Sequence, residues 1–405
     1  MKLVDRNVYV ESPNDETLVF AGAEYTRPSG GDMIRLISKI TRSDTVDSCR
    51  VELSDDHGRS WSEGRSLRTK LPHPDGTLRR HPRFGMADPE TGCYLDFMTE
   101  GVLPNDEPLE GLKNWYLRYR VSEDGGRTWS VDERLIQEGE EYTPEHPIEG
   151  VWTGKNCFMI GDKTCCPIGS QQGTILMPVQ ITPTGPDGEY HNPGGGYTYH
   201  ESAVLIGTWT SDNDIEWEVS ERVANDPELS TRGCLEPTIA QFPDGRILMV
   251  MRGSNGGSKD PDCEMPGRKW YSISEDDGRT WSPVQPWGYS DGSLFYSPSS
   301  CSQLLPHSNG RVYWLGNISP GNPCANGPRY PMVVGEVDPE SLRLIRDAVT
   351  LVDDRGPDDS ERLMLSNFHA TEDRRTGMIH LYMSRAFAEG RGTRGSDAYL
   401  YRVEV

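Results

Sequence analysis

The octapeptide Ser54-Asp55-Asp56-His57-Gly58-Arg59-Ser60-Trp61 recurs as Ser122-Glu123-Asp124-Gly125-Gly126-Arg127-Thr128-Trp129 and as Ser274-Glu275-Asp276-Asp277-Gly278-Arg279-Thr280-Trp281. Each copy reads Ser-x-Asp-x-Gly-x-Ser/Thr-Trp. This pattern suits a tight β-turn, because the Asp and Ser side chains bond turn amides, Gly supplies a positive φ and Trp anchors the turn by burial. A degenerate fourth copy at residues 210–217 has Asp214 where the Gly should be. The repetition predicts a fold built from one repeated supersecondary unit.

A second repeat, a turn followed by an apolar strand, covers the whole chain. It occurs six times, at residues 16–24, 92–100, 173–180, 245–252, 310–317 and 377–385. The 43 Gly and 30 Pro, with only 34% hydrophobic residues, also favour short strands over a helical core. We therefore predict an all-β, six-bladed β-propeller that forms one domain spanning residues 1–405, with each octapeptide as the turn between the third and fourth strands of a blade.

The octapeptides resemble the Asp boxes of the sialidase superfamily, and the segment from Cys234 to Arg252 resembles the fourth-blade signature of sialidases. The resemblance implies that Glu236 is a catalytic carboxylate and that Arg252 is one of three arginines that grip a substrate carboxylate. It places Arg329 at the position of another of these arginines. An ion pair that braces two strands is the alternative for Glu236 and Arg252, and a solvated loop residue is the alternative for Arg329.

Three positions depart from that pattern. The first arginine motif near the N-terminus has no copy, and Arg6-Asn7-Val8 is at best a remnant of it. The resemblance implies an acid/base Asp after that motif, for which Asp32 is the candidate. The nucleophilic Tyr expected on the sixth blade is replaced by Ser366-Asn367-Phe368-His369-Ala370.

Blade geometry sorts the remaining candidates. The start of the inner strand and the loop between the second and third strands share one face, here called the functional face, and the Asp-box turns lie on the other. Asp56, Asp124 and Asp276 are therefore predicted to be structural. At the functional face we expect the ends of the second strands (Glu24, Glu100, Gln180, Arg252, Asn317, Arg385) and the starts of the inner strands (Arg6, His81 to Arg83, Lys163, Glu236, Ser299, Ser300, Asn367 to His369).

Histidine is the residue best suited to replace a missing Tyr in proton transfer at neutral pH. His81 and His369 are the candidates, although either could be a strand-end residue bonded to a neighbouring carbonyl. Tyr199 and His200 end the glycine-rich loop of the third blade and are expected to reach inward. Arg83, Arg385, Glu24, Glu100 and Asn367 complete the predicted set of substrate-binding residues.

The amino-acid composition limits the kinds of partner that this protein can bind. The net charge of −22 argues against nucleic acid, although clustered Arg could still hold a small anion. No apolar run has the length of an export signal or a membrane span, and nine Cys, an odd number, favour reduced thiols, so we expect a cytoplasmic protein. No Cys-x-x-Cys or His-Glu-x-x-His motif is present, so we expect no zinc site and no cofactor, while the acidity leaves calcium open.

The predicted function is that of an exo-acting glycoside hydrolase on an acidic or polar sugar, with a small carbohydrate or oligosaccharide as its partner. A lyase for uronate-containing glycans is the first alternative, because such an enzyme pairs Arg with His or Tyr and needs no Tyr nucleophile. A non-catalytic sugar-binding propeller is the second. The sequence leaves the oligomeric state open.

Overall fold

Residues 1–210, 214–388 and 395–405 are described by a computed structural model. Within these stretches the short apolar segments between glycine-containing turns form antiparallel strands, grouped into six sheets. The strand β1 (Lys2–Val10) comes first. Blade 1 contains β2 (Leu18–Tyr25), β3 (Met33–Ile40), β4 (Ser48–Ser54) and β5 (Arg65–Leu67). Blade 2 contains β6 (Lys70–His73), β7 (Gly76–Pro82), β8 (Met86–Ala87), β9 (Tyr94–Leu103), β10 (Tyr116–Ser122) and β11 (Val131–Arg134).

The later blades follow in chain order. Blade 3 contains β12 (Phe158–Met159), β13 (Ile168–Gly169), β14 (Ile175–Ile181), β15 (Glu201–Trp209) and β16 (Ile215–Val219). Blade 4 contains β17 (Leu235–Gln241), β18 (Ile247–Arg252), β19 (Lys269–Ser274) and β20 (Gln285–Pro286). Blade 5 contains β21 (Gln303–Pro306), β22 (Val312–Asn317), β23 (Met332–Val337) and β24 (Leu344–Asp353). Blade 6 contains β25 (His369–Asp373), β26 (Met378–Ser384) and β27 (Ala398–Glu404), and the loop of blade 2 carries a 3₁₀ turn (Pro108–Glu110) and α1 (Gly111–Asn114).

The ring closes because β1 pairs antiparallel with β27 and forms the outermost strand of blade 6. The prediction of an all-β, six-bladed β-propeller is confirmed. Apolar clusters fill the space between neighbouring blades, for example where Phe97 meets Trp217 edge to face and where Trp287 meets Trp314. Such aromatic pairs stabilise beyond the area that they bury.

The predicted order of strands in blade 1, here called its frame, is wrong. The segment at residues 16–24 was expected to be a second strand, with an inner strand near Arg6. Instead β2 is the inner strand of blade 1, and Arg6 lies exposed in β1, paired with Asp353. The first strand of the chain belongs to the last blade, so the segment predicted as the second strand of blade 1 is its first.

The Asp boxes lie between the third and fourth strands of blades 1, 2 and 4, as predicted. In the first box, Asp56 Oδ1 accepts backbone N–H groups of Arg59 and Ser60 at 2.9 Å, while Ser54 Oγ accepts the N–H of Gly58, whose φ is 73°. The same network recurs around Asp124, where the hydrogen bonds lower the pKa to about 2 against the opposing effect of burial. The box Trp side chains are half-buried rather than fully buried. Residues 211–213 of the degenerate box lie outside the described residues.

Two loops from neighbouring blades are joined covalently. Cys263, in the loop after β18, and Cys324, in the loop after β22, form a disulfide, whereas the other seven cysteines are free. The expectation of uniformly reduced thiols is therefore wrong for this pair, because sequence spacing does not show that the two loops are neighbours. Among the residues described, no helix has the length and apolar character needed to cross a membrane.

Candidate active site

A cavity of about 470 Å³ opens on the functional face, at the end of the ring opposite the Asp boxes. Leu18 at the start of β2, Glu236 near the start of β17, and Gln180 and Arg252 at the ends of second strands all line it. Their convergence follows from the blade geometry, since inner strands begin and second strands end at this face. The cavity lies where the blades meet, which makes it the candidate active site.

Glu236 is aimed into the cavity by an irregular start to its strand. The pairing of β17 with β18 is interrupted between Leu235 and Thr238, and Glu236 adopts a φ of +44°. A bulge of this kind turns a side chain away from the regular alternation, and a positive φ in a residue other than Gly is strained. The Glu236 N–H donates to Gln180 Oε1 at 2.9 Å, which holds the strained backbone in place.

Glu236 is 8% exposed, and its two carboxylate oxygens have different surroundings. Oε1 accepts a hydrogen bond from Arg252 Nη1 at 2.6 Å. Oε2 is buried and has no hydrogen-bond partner. The charge-assisted contact with Arg252 anchors Oε1, and the free Oε2 is available to a ligand.

Four arginines surround this carboxylate, two of them in well-defined networks. Arg252 also donates to Ser299 Oγ at 2.8 Å and to Asn326 Oδ1 at 3.0 Å. Arg329 donates from Nε to the Asn326 carbonyl at 3.1 Å and from Nη1 to Asn367 Oδ1 at 3.3 Å. These bonds fix both guanidinium groups before any ligand arrives, which reduces the entropy lost on binding.

The other two arginines are Arg232, which donates to Thr198 Oγ1 at 3.1 Å, and Arg83, which donates to the Ile160 carbonyl at 3.3 Å. Burial, with the positive charge of Arg252 second, lowers the pKa of Arg232 to about 9 and that of Arg329 to about 10. Both groups stay cationic at neutral pH. The cavity therefore carries an excess of positive charge in a protein with a net charge of −22.

The comparisons with known proteins agree with this arrangement at the level of the family. The family model described as a BNR repeat-like domain matches residues 100–369. The chain belongs to this family. Together with the propeller fold, the match confirms the relationship to the sialidase superfamily that the Asp boxes predicted. No curated protein matches the sequence significantly.

Three solved structures resemble this chain over nearly their whole length. A Dyadobacter fermentans protein of unknown function has a TM-score of 0.63 at 15% identity, covering 100% of this chain and 99% of that one. The intramolecular trans-sialidase from Ruminococcus gnavus has a TM-score of 0.62 at 12% identity, covering 100% and 98%. An α-L-arabinanase from Penicillium chrysogenum has a TM-score of 0.53 at 15% identity, covering 100% and 99%. At these identities the likeness shows the shared fold alone.

The three candidate histidines divide into two groups. His81 and His200 line the cavity, and both are buried. Burial, together with the charges of Arg83 and Arg79, holds the pKa of His81 far below its usual value, and burial with Arg232 and Arg252 does the same for His200. Both rings are therefore neutral at pH 7.

His369 does not lie at the cavity. Its ring stacks on Phe84 with centroids 3.6 Å apart, and burial lowers its pKa to about 3. Its Nδ1 lies 3.7 Å from Cys166 Sγ. The prediction that His369 transfers protons is corrected, because the ring packs between blades.

Five further predicted residues lie away from the cavity. Asp32, in the loop after β2, pairs with Arg127 of the second Asp box, so it is on the opposite face. Glu24 is at the end of an inner strand rather than a second strand, for the reason given for blade 1. Tyr199 is buried and donates to the Asn225 carbonyl at 2.7 Å.

The last two of these residues, Glu100 and Arg385, also lie away from the cavity. Glu100 points away from its neighbour Thr99, which lines the cavity, and Glu100 pairs with Arg80 instead. Arg385 forms ion pairs with Asp353 and Asp359. β9 continues to Leu103, so Glu100 is not the end of its strand, and it faces away from the cavity because successive residues of a strand face opposite sides; Arg385 directly follows β26.

Several cavity residues were missed. Asp162 precedes Lys163, which was expected at this face, and it accepts a hydrogen bond from Asn367 Nδ2 at 2.6 Å. Asp44 lies in the loop between β3 and β4, where the correct frame of blade 1 would have directed attention. Arg232 carries no local signal, because the loop that holds it is placed by contacts with blade 3.

One side of the cavity is apolar. Leu109, Leu112 and Trp115 come from the blade 2 loop, and Tyr197, 69% exposed, comes from the long blade 3 loop. Long loops on a rigid scaffold commonly carry specificity. No group of three or more His, Cys, Asp or Glu side chains among the described residues is placed to hold a metal ion.

Proposed function

We propose that this protein is an exo-acting glycoside hydrolase whose substrate is a small carbohydrate that carries a carboxylate. The observation that carries the proposal is the grouping of Arg83, Arg232, Arg252 and Arg329 around Glu236 in one buried cavity. Guanidinium groups bind carboxylates through two parallel hydrogen bonds, and buried sites strengthen such bonds. The cavity volume suits one or two sugar rings, which favours cleavage at a chain end.

In this proposal the residues have separate tasks. Arg252 and Arg329 hold the substrate carboxylate. Glu236, held in place by Arg252, orients or deprotonates the water that attacks the anomeric carbon. The apolar side formed by Trp115 and Tyr197 packs against the leaving group, since sugar rings stack on aromatic faces.

The proposal is tested by replacing each anion-holding arginine with lysine. In Arg252→Lys and Arg329→Lys we expect binding of acidic sugars to weaken by about tenfold or more, because charge is kept but the bidentate fork is lost. Arg311→Lys, at an exposed arginine at the start of β22, is the matched control. Affinities for glucuronic acid, N-acetylneuraminic acid and their neutral counterparts are measured by calorimetry. Equal affinity of the parent protein for acidic and neutral sugars would reject the acidic-substrate proposal.

A lyase for uronate-containing glycans is the second candidate, favoured by His81. Its Nε2 is buried without a hydrogen-bond partner, and the neutral ring could accept the proton next to a uronate carboxylate neutralised by Arg83. Lyase cleavage produces an unsaturated sugar that absorbs ultraviolet light, whereas hydrolysis produces a reducing end without that absorbance. The absence of both products on a broad oligosaccharide panel would favour a sugar-binding protein without catalysis.

A further inference from the structure

Asp162 is a second carboxyl group in the cavity, in the segment between β12 and β13. It is 8% exposed, and its Oδ2 accepts the hydrogen bond from Asn367 Nδ2. Its Oδ1 is buried and has no hydrogen-bond partner. Unsatisfied buried polar atoms are destabilising, so an oxygen left free beside a cavity points to a ligand atom that completes it.

The backbone beside Asp162 lies directly against Glu236. A Cβ atom built on Gly161 would be 2.7 Å from Glu236 Cγ and 2.3 Å from Gln180 Oε1, which only Gly tolerates. Asp162 and Glu236 thus bring carboxyl groups to the cavity from adjacent blades. Each has one oxygen anchored by a neighbour and one oxygen free.

The surroundings of the two carboxyl groups differ. Glu236 receives a direct charge-assisted hydrogen bond from Arg252, whereas the hydrogen-bond partner of Asp162 is the neutral amide of Asn367. The titratable and charged groups that face Asp162 are Glu236, Arg83, Lys163, Arg329 and the thiols of Cys165, Cys166 and Cys301. Burial and the negative charge of Glu236 raise the pKa of Asp162, and Arg83 and the Asn367 hydrogen bond oppose this only in part. A buried carboxyl group with a raised pKa beside a second carboxyl group is the arrangement used by acid and base pairs.

We infer that Asp162 is the general acid that works with Glu236, an inference that rests on the proposed glycosidase function. Asp162 Oδ1–H gives its proton to the glycosidic oxygen, and the electron pair of the breaking C–O bond stays on that oxygen. A water molecule adds its oxygen to the anomeric carbon, and Glu236 accepts the proton that this water loses. The products are a free sugar and an alcohol, and solvent returns a proton to Asp162 while Glu236 loses one. This pair requires no tyrosine nucleophile, which agrees with Asn367 and Phe368 at the position where a Tyr was expected.

The dependence on the leaving group tests the role. Asp162→Asn is compared on glycosides of N-acetylneuraminic acid and glucuronic acid, joined either to a sugar alcohol or to 2,4-dinitrophenol. With the alcohol, which needs a proton to leave, we expect kcat/KM to fall by about 10²- to 10⁴-fold. With dinitrophenol, which leaves as a stable anion, we expect a loss of less than about tenfold. Glu236→Gln, the matched comparison, loses activity on both. Equal losses for Asp162→Asn on both leaving groups overturn the inference.

A second readout does not depend on turnover. With aspartate carboxyl carbons labelled with ¹³C, NMR of the parent protein should show a carboxyl that titrates well above the ordinary value of about 4, and this signal should vanish in Asp162→Asn. Failure of the parent to cleave any glycoside overturns the proposed function, whatever the titration shows. The absence of such a titration overturns the role of Asp162, even where glycosides are cleaved.

Discussion

At the residue scale, Glu24 makes the stability of this protein depend on pH. It is buried at the end of β2, and its Oε1 accepts hydrogen bonds from the Gly85 N–H at 2.7 Å and from Tyr94 Oη at 2.5 Å. Burial outweighs these two bonds and raises the pKa of Glu24 to about 8. In the unfolded chain the pKa of a glutamate is about 4.3.

This difference predicts that stability falls as the pH rises. The folded state binds the Glu24 proton more tightly, so the stabilisation is fully present below about pH 4.3 and is lost as the pH passes about 8. The slope for one such group is on the order of 1.4 kcal/mol per pH unit. Glu24→Gln should flatten the curve over this window, as measured by urea unfolding at a series of pH values. An unchanged slope in Glu24→Gln would contradict the assignment.

At the scale of the element, each Asp box holds a blade edge through its Trp. Trp129 stacks under Arg120, whose guanidinium carbon lies 3.8 Å from the ring centroid, and Arg120 in turn pairs with the buried Asp96. The turn thus connects strands β9 and β10 of one blade. Because the box lies on the face opposite the cavity, its effect should be confined to stability.

Trp129→Ala is expected to lower the free energy of unfolding by about 3 kcal/mol, near the lower end of the values for a buried aromatic because the ring is half-exposed. Turnover per folded molecule should stay unchanged. Trp152→Ala, at an exposed Trp stacked on His146, is the control and should change stability little. Chemical denaturation and activity are measured on the same samples. A stable Trp129→Ala protein without activity would show that the face assignment is wrong.

At the scale of the whole molecule, β1 joins the two ends of the chain. Lys2 pairs with Glu404 and Val10 with Ala398, so the first strand completes the last blade. Removal of residues 1–10 should therefore lower Tm and lower the free energy of unfolding by several kcal/mol. Each lost hydrogen bond contributes about 1 kcal/mol. A synthetic peptide of residues 1–10 should raise Tm again by occupying the open edge of β27, whereas a scrambled peptide should not. An unchanged Tm after the deletion would show that closure contributes little.

The sequence by itself determined what short-range interactions control. The Asp-box turns were predictable because their hydrogen bonds lie within eight residues, from Ser54 to Trp61. The Glu236 and Arg252 contact was predictable because adjacent antiparallel strands bring these residues together across one hairpin. Six copies of one strand pattern were sufficient to predict six blades.

Tertiary structure alone decided the rest. The frame of blade 1 depends on the pairing of β1 with β27, across nearly the whole chain, and no local pattern encodes it. Thr99 faces the cavity and Glu100 does not, because neighbouring strand residues point to opposite sides and a shift of one residue reverses them. Asp162 meets Glu236 only because blades 3 and 4 pack side by side. A site formed by residues from several blades exists only in the closed ring, whereas a turn within a blade is formed by its own residues.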